Sequence, residues 1–300
     1  MYGMKTHTGL GILAILLWST NIAFARRLAE MLGVFTSGTL IFLLGGIIAT
    51  IILMASKHTV SVWKGISPKY VFGCGIFFVV NTVTLQVATG LAANHTQVII
   101  VGILNYLWTA LSLIFSIWVF GNKARWFLGI GILLALIGMW MALIQDRSIN
   151  LGEALPSAQT WLVYGLALTA AVTWGLYSNF SRKWTKPTDT GLVPLFLLGS
   201  GILMGVMRAF IPETSSLYLS GGLQLGYMVL FPTILAYVFW DSAMRKGQII
   251  LVVSLSYFTP LLSTLVSSLV LGIPLTPMLF ISAIFIILGA VICRLAISTQ

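Results

Sequence analysis

The sequence predicts an all-α integral membrane protein with ten transmembrane helices arranged as two inverted five-helix repeats. Three observations carry that expectation: the ratio of apolar to charged residues, ten apolar runs of spanning length, and a correspondence between the two halves. Of the 300 residues, 59% are hydrophobic and 7% are charged, with a mean hydropathy of +1.04. A soluble domain carries roughly 25% charged residues. So few charges cannot cover a water-facing surface, so lipid is the expected solvent for most of the chain.

A spanning helix needs about 20 mostly apolar residues. Such runs cover approximately residues 9–28, 35–55, 70–91, 95–119, 125–144, 160–180, 190–211, 221–242, 248–271 and 277–297. Lys5 precedes an apolar stretch that ends Ala23-Phe24-Ala25, which superficially resembles a signal-peptide cleavage site. The stretch is longer than the roughly 7–15 residues of a signal peptide's apolar region, and it has a counterpart in the second half. It therefore reads as a retained first span. The connection from Gln145 to Thr160 divides the chain into residues 1–150 and 151–300, one five-helix repeat each.

Positive charge sets the expected orientation. With the N-terminus in the cytoplasm, the cytoplasmic segments hold Lys5, Lys57, Lys64, Lys69, Lys123, Arg125, Arg182, Lys183, Lys186, Arg245, Lys246 and Arg294. The opposite side holds only Arg26, Arg27, Arg147 and Arg208. That asymmetry places both termini in the cytoplasm, on the expectation of a bacterial inner membrane. The net charge of +10 follows the same loops and gathers on no polar domain, which argues against nucleic acid as a partner. Cys74 and Cys293 lie inside apolar runs, and no Cys or His spacing suggests a disulfide framework, a metal site or a cofactor.

An offset of 151 residues aligns the later part of each half. Gln97 falls on Gln248, Val101 on Val252, Tyr106 on Tyr257, Gly121 on Gly272 and Gly138 on Gly289. Asn105, Ser112 and Ser116 match Ser256, Ser263 and Ser267. Near the start of each half the offset becomes 156, placing Trp18-Ser19 on Trp174-Gly175 and Arg26-Arg27 on Arg182-Lys183. An odd number of spans per repeat forces the repeats into opposite orientations. Inverted repeats are the architecture of secondary transporters, with the substrate site where the halves meet.

The motif Asn105-Tyr106-Leu107-Trp108, the matching Tyr257-Phe258-Thr259-Pro260 and the opening Leu17-Trp18-Ser19-Thr20 resemble the aromatic amino acid exporters of the drug/metabolite transporter superfamily, which carry two EamA-like repeats. The resemblance implies export of amino acids, particularly aromatic ones, and tolerance of some cationic or aromatic toxic compounds. It implies a central cavity lined by spans 1, 3, 4, 6, 8 and 9, with spans 5 and 10 peripheral. The family usually places a proline after the tetrapeptide, where this chain has Thr109. Its repeat partner keeps the proline as Pro260, so a kink is expected in the ninth span.

Polar residues in spans tend to face protein or a water-filled path. Thr82, Gln86 and Thr89 share one face of the third span, and the offset maps Thr82 on Thr233 and Gln86 on Tyr237. Thr82, Gln86 and Tyr237 are therefore candidates for the path, with helix-to-helix hydrogen bonding as the alternative use. Trp18, Trp108 and Trp174 sit inside spans rather than in the interfacial belt. With Tyr106, Tyr177 and Tyr257 they offer flat faces to an aromatic side chain or a cation, the alternative being core packing. Asn105 carries an amide able to meet a substrate ammonium or carboxylate.

The acids Glu30, Asp146, Glu153, Asp189, Glu213 and Asp241 fall in loops or at helix ends, as do His7, His58 and His95. Asp241 comes closest to a span centre, with Arg245 one turn on. The expectation is facilitated, gradient-driven export by alternating access without an evident proton relay. Efflux of hydrophobic cations is the nearest alternative, disfavoured by the missing buried carboxylate. An intramembrane enzyme would need a nucleophile and base or clustered acids within the membrane, and no catalytic group is expected. A small molecule and the bilayer are the expected partners; the sequence leaves the oligomeric state open and is compatible with a monomer.

Overall fold

In a computed structural model of the chain, the described residues are 2–55, 66–144, 158–186, 190–216, 219–271 and 277–298. The boundary between the expected repeats, the residues Lys57, His58, Trp63, Lys64, Asp146, Arg147, Glu153 and Asp189, and Gly272 lie outside them. Among the described residues the regular structure is helical apart from one two-residue antiparallel pair, β1 (Lys123–Ala124) with β2 (Ile297–Ser298).

The first predicted run divides into α1 (Tyr2–Ser19) and α2 (Asn21–Leu32). The cause is local. Ser19 and Thr20 turn their hydroxyls back onto the carbonyls of Leu16 and Leu17 at 2.6 and 2.8 Å, competing with the helix's own bonds. Gly33 stops α2 with φ +85, a backbone state that favours glycine, and α3 (Val34–Ala55) follows. α4 runs Lys69–Leu91, with a π-helical opening at Lys69–Cys74.

α5 (His95–Phe120) is capped reciprocally. The Asn94 carboxamide accepts from the Gln97 amide at 2.9 Å, and the Gln97 side chain accepts from the Ala93 amide at 3.0 Å. Gly121, at φ +68, ends it. α6 (Leu128–Ile144), α7 (Ala158–Lys183) and α8 (Val193–Phe210) follow, the last opening on a proline that needs no amide donor there.

The eighth run comprises α9 (Leu219–Met228), a π-helical stretch Val229–Leu235 around Pro232, and α10 (Ala236–Lys246). The ninth comprises α11 (Ile249–Leu255), a 3-10 turn Ser256–Phe258 and α12 (Thr259–Leu271). α13 (Pro277–Ala296) closes the bundle. The break in the ninth run sits where Pro260 cannot donate to the Ser256 carbonyl; the Thr259 hydroxyl donates to that oxygen at 2.8 Å.

Among the described residues, seven helices are long and apolar enough to cross a membrane, and Leu128–Ala142 and Ile249–Ser263 form shorter apolar helices. The outward surface is apolar: Ile51, Ile52, Phe72, Ile76, Leu223, Phe280 and Leu295 are all at least 60% exposed. Such a surface suits lipid, since soluble monomers rarely expose large apolar patches.

The halves meet in a reciprocal manner. α3 packs on α8, α6 on α13, α4 and α5 on α7, and α1 on α10 and α12. Every pair has its counterpart when the halves are exchanged. A Cβ at Gly46 would lie 2.5 Å from the Leu198 amide nitrogen, and one at Gly201 would lie 2.5 Å from that of Leu43. A Cβ at Gly138 would come 2.8 Å from the Ile286 amide nitrogen and 2.7 Å from the Ser282 carbonyl; one at Gly289 would come 2.7 Å from the Gly131 carbonyl. Advancing along one helix of either pair means retreating along the other, so both equivalent pairs run antiparallel.

A leucine at Gly138 would overlap the α13 backbone. Gly138→Leu should lose about 1–3 kcal/mol of stability, read as a lower melting temperature in detergent, whereas Gly165→Leu, with nothing within 4 Å, should melt as the parent does.

Candidate functional site

Where α1, α4, α5, α7 and α10 converge, seven aromatic rings pack together, and Phe196 of α8 and Tyr70 of α4 extend the cluster. The break at Thr20 leaves Trp18 in the last turn of α1. The π-helical stretch around Pro232 diverts the Ala236 amide to the carbonyls of Phe231 and Thr233, and the Pro232 carbonyl accepts from Trp18 Nε1 at 3.0 Å. The position equivalent to Pro232 in the first half is Asn81, whose carboxamide donates to the Ala170 carbonyl of α7 at 2.8 Å. Each of these bonds ties an equivalent helix pair together across the halves.

Trp18 lies 5.6 Å from Trp174, its repeat mate, and 5.3 Å from both Tyr237 and Trp240. Trp108 stands edge-on to Trp240 at 5.2 Å and to Trp174 at 6.4 Å. Phe78 meets Tyr237 at 4.9 Å and Tyr177 at 5.4 Å. Most of these contacts are edge-to-face, the arrangement that ring quadrupoles prefer. Helical spacing explains the convergence: Trp174 and Tyr177 on α7, and Tyr237 and Trp240 on α10, are each three residues apart and share a face.

Beneath the rings lies an ion pair. Asp241 and Arg245 are one helical turn apart, with side chains 2% and 6% exposed. Arg245 Nε donates to Asp241 Oδ2 at 2.7 Å. The other carboxylate oxygen, Oδ1, accepts from the Tyr177 hydroxyl at 2.8 Å and the Tyr70 hydroxyl at 3.3 Å. Tyr70 also accepts from the Leu192 amide at 3.1 Å, joining α4 of one half to the start of α8 in the other. Asp241 lies near the end of its helix, as expected, but the expectation that the chain lacks a buried carboxylate fails here. Two tyrosines from separate helices and an arginine satisfy Asp241, so α10 buries it. Sequence reasoning also missed Trp240, although its three-residue spacing from Tyr237 was a usable signal.

Of the expected path residues, Trp18, Trp108, Trp174, Tyr177 and Tyr237 come together in the cluster. The others do not. The Thr82 hydroxyl lies 2.8 Å from that of Ser200 and also bonds the carbonyls of Phe78 and Val79, linking α4 to α8. Gln86 donates to the Val34 carbonyl at 3.3 Å, near the start of α3. Asn105 is half-buried on α5. Tyr106 packs against the apolar core, and its carbonyl accepts from the Thr109 hydroxyl at 2.9 Å. Tyr257 is fully buried in the 3-10 turn beside Pro260. Among the described residues no group of three His, Cys, Asp or Glu could hold a metal ion.

A second cross-half clamp occupies the opposite end of the bundle. Glu213, beyond α8, accepts from the amides of Phe35 and Thr36 at 2.9 and 2.8 Å and from the Thr36 hydroxyl at 2.9 Å. An acid at a helix N-terminus satisfies amides that the helix leaves unpaired. Arg208 stands 3.5 Å from the carboxylate and donates to the Thr36 hydroxyl at 2.6 Å. Partial burial pushes the Glu213 carboxyl up, but the bonds from the Phe35, Thr36 and Val34 amides and the Thr36 hydroxyl outweigh it, holding the group below its ordinary 4.5. A depressed native value means stabilisation that is present above pH 4.5 and lost as pH falls below it. Melting temperature measured in detergent from pH 7 to pH 3 should therefore fall more steeply at the acid end for the parent than for Glu213→Gln.

The profile of the EamA-like transporter family matches this chain twice, over residues 8–144 and 161–295. The aromatic amino acid exporter YddG of Escherichia coli K12 is 29% identical over 290 residues, covering 96% of this chain and 97% of the relative. YddG of Salmonella typhimurium is 27% identical over 298 residues, with the same coverage. YddG of Ancylobacter novellus is 29% identical over 86% of each chain. A solved crystal structure superposes with a TM-score of 0.81 over 97% of this chain and 98% of its own, at 27% identity. With two matched segments that together span most of its length, the chain belongs to the EamA-like transporter family of the drug/metabolite transporter superfamily.

Proposed function

We propose that this membrane transporter exports amino acids, aromatic ones favoured, by alternating access between two inverted five-helix repeats, residues 1–150 and 151–300. The observation that carries the reading is the meeting of Trp18 and Trp174, equivalent tryptophans of the two halves, 5.6 Å apart in one aromatic cluster. A site at the junction of inverted repeats can face either side when one repeat rocks against the other. Flat ring faces there suit a substrate that carries its own ring. The names of the three exporter relatives point the same way.

The antiparallel packing of α3 on α8 and of α6 on α13 supports inversion. Ten spans follow if α1 with α2, α6, and α11 with α12 cross the bilayer alongside the seven long apolar helices. The asymmetry of the basic residues supports cytoplasmic termini, and the bacterial relatives support a bacterial inner membrane. On this topology the Asp241 floor faces the cytoplasm and the Glu213 clamp faces outward. We read the chain as a carrier rather than an enzyme, with Trp18, Trp108, Trp174, Tyr177 and Tyr237 lining the path. Thr82, Gln86, Asn105, Tyr106 and Tyr257 are proposed to support the helices around it.

A second reading, efflux of hydrophobic cations, draws support from the buried Asp241 carboxylate beneath electron-rich rings. Uptake of labelled amino acids and of a lipophilic cation into proteoliposomes separates the two. Saturable flux of L-tryptophan and L-phenylalanine is expected, falling at least about tenfold in Trp174→Ala as stacking and shape are lost. Flux of the cation alone would favour the second reading, and unchanged amino acid flux in the variant would remove Trp174 from the path.

A further inference from the structure

We propose that Asp241 binds the α-ammonium group of the transported amino acid, and that Arg245 occupies the carboxylate when no substrate is present. The inference rests on the amino acid export reading and assigns the polar half of that same site.

A carboxylate inside a spanning helix is expensive to keep, and in carriers such groups mark substrate or ion paths. Among the described residues, Asp241 is the one acid in the fully buried class. Its position suits a ligand with two chemistries. Tyr177 stacks on Trp174 at 5.1 Å while its hydroxyl reaches Asp241, and Trp240 directly precedes Asp241 in the chain. An aromatic amino acid holds its ammonium two carbons from its ring, so its site needs a ring surface continuous with an anionic acceptor. The floor of the aromatic cluster has that continuity.

The two carboxylate oxygens are differently employed. Oδ1 takes both tyrosine hydroxyls, from α4 and α7, which fix the group's orientation. Oδ2 takes Arg245, whose side chain comes from Asp241's own helix. Withdrawing the guanidinium therefore leaves the carboxylate aimed as before. Gly191 borders that side: a Cβ there would press on Oδ2 and come 2.8 Å from an Arg245 terminal nitrogen. Glycine at 191 lets the backbone pack directly on the ion pair, where any side chain would collide with Oδ2 and the guanidinium. Replacing one cation by another keeps the Asp241 carboxylate paired, and the displaced guanidinium can meet the substrate's own carboxylate, so neither buried charge is stranded.

Competition against labelled L-tryptophan in proteoliposomes tests the assignment. Tryptamine keeps the ring and ammonium; 3-indolepropionate keeps the ring and carboxylate. With the parent chain, tryptamine should compete at least about tenfold better than 3-indolepropionate, because a site built to pair with a group rejects the analogue lacking it. In Asp241→Asn the KM for L-tryptophan should rise at least about tenfold while inhibition by 3-indolepropionate is unchanged, and Asp241→Glu should retain the preference for the ammonium. Equal competition by the two analogues in the parent, or an equal loss for both ligands in Asp241→Asn, overturns the proposal. The parent comparison decides the matter even where the Asn variant does not fold. Tryptophan flux without ammonium preference sinks this assignment alone, whereas no flux of any amino acid sinks the export reading and this assignment together.

Discussion

Backbone touching backbone between equivalent helices of the two halves is the contact on which the rest of this bundle depends. In lipid there is no hydrophobic drive to bring helices together, so association comes from close packing and interhelical hydrogen bonds. Gly46 and Gly201 give α3 and α8 that contact, and Gly131, Gly138 and Gly289 give it to α6 and α13. Each pair is tight enough that a single Cβ would force a shift. With these outer pairs joined, the remaining helices are held around the junction. There the chain is irregular: a break at Thr20, π-helical turns at Lys69–Cys74 and Val229–Leu235, and a 3-10 turn at Ser256–Phe258. Irregular backbone at such depth is tolerated where protein surrounds it or a path runs beside it.

The aromatic cluster sits between two polar clamps, both of which cross from one half to the other. At one end the Tyr70 hydroxyl bridges Asp241 and the Leu192 amide. At the other, Glu213 holds the first turn of α3. The clamps differ in character. The first is buried and includes a compensated ion pair, where losing one partner strands a charge. The second is partly open to water, with Arg208 about one-third exposed, and contributes less per contact. On a rocking mechanism the first end is the more costly to separate.

Much of the architecture was legible in the sequence because lipid imposes a coarse rule, namely long apolar runs with charges between them. The offset of 151 was legible too, and the Gly138 and Gly289 match it found by letters turns out to be a reciprocal contact. The interruptions were harder to see. Ser19 and Thr20 bend a helix through hydroxyls that are equally at home in straight ones, and Pro232 falls inside the apolar run 221–242. Within the site, rings at helical spacing were recognisable, whereas the burial of Asp241 depends on Tyr70 and Tyr177, which lie 171 and 64 residues away. Thr82 and Gln86 share a helix face, as spacing requires, yet they serve different neighbours because that face crosses two helices along its length.

If the chain works by the proposed alternating access, the bond from Trp18 to the Pro232 carbonyl bears on how the two facing states compare in energy. A carrier built from identical inverted halves would become a copy of itself turned by half a rotation when it switched sides, and the two states would be degenerate. Here the equivalent interfaces are fastened by different chemistry. In one, an indole on the first helix donates to a carbonyl freed beside a proline; in the other, the carboxamide of Asn81 on the third helix donates to Ala170 of α7. The donor has changed partners between the duplicated halves. On the proposed alternating-access mechanism that exchange lifts the degeneracy of the two facing states, while the direction of net movement is left to the substrate gradient.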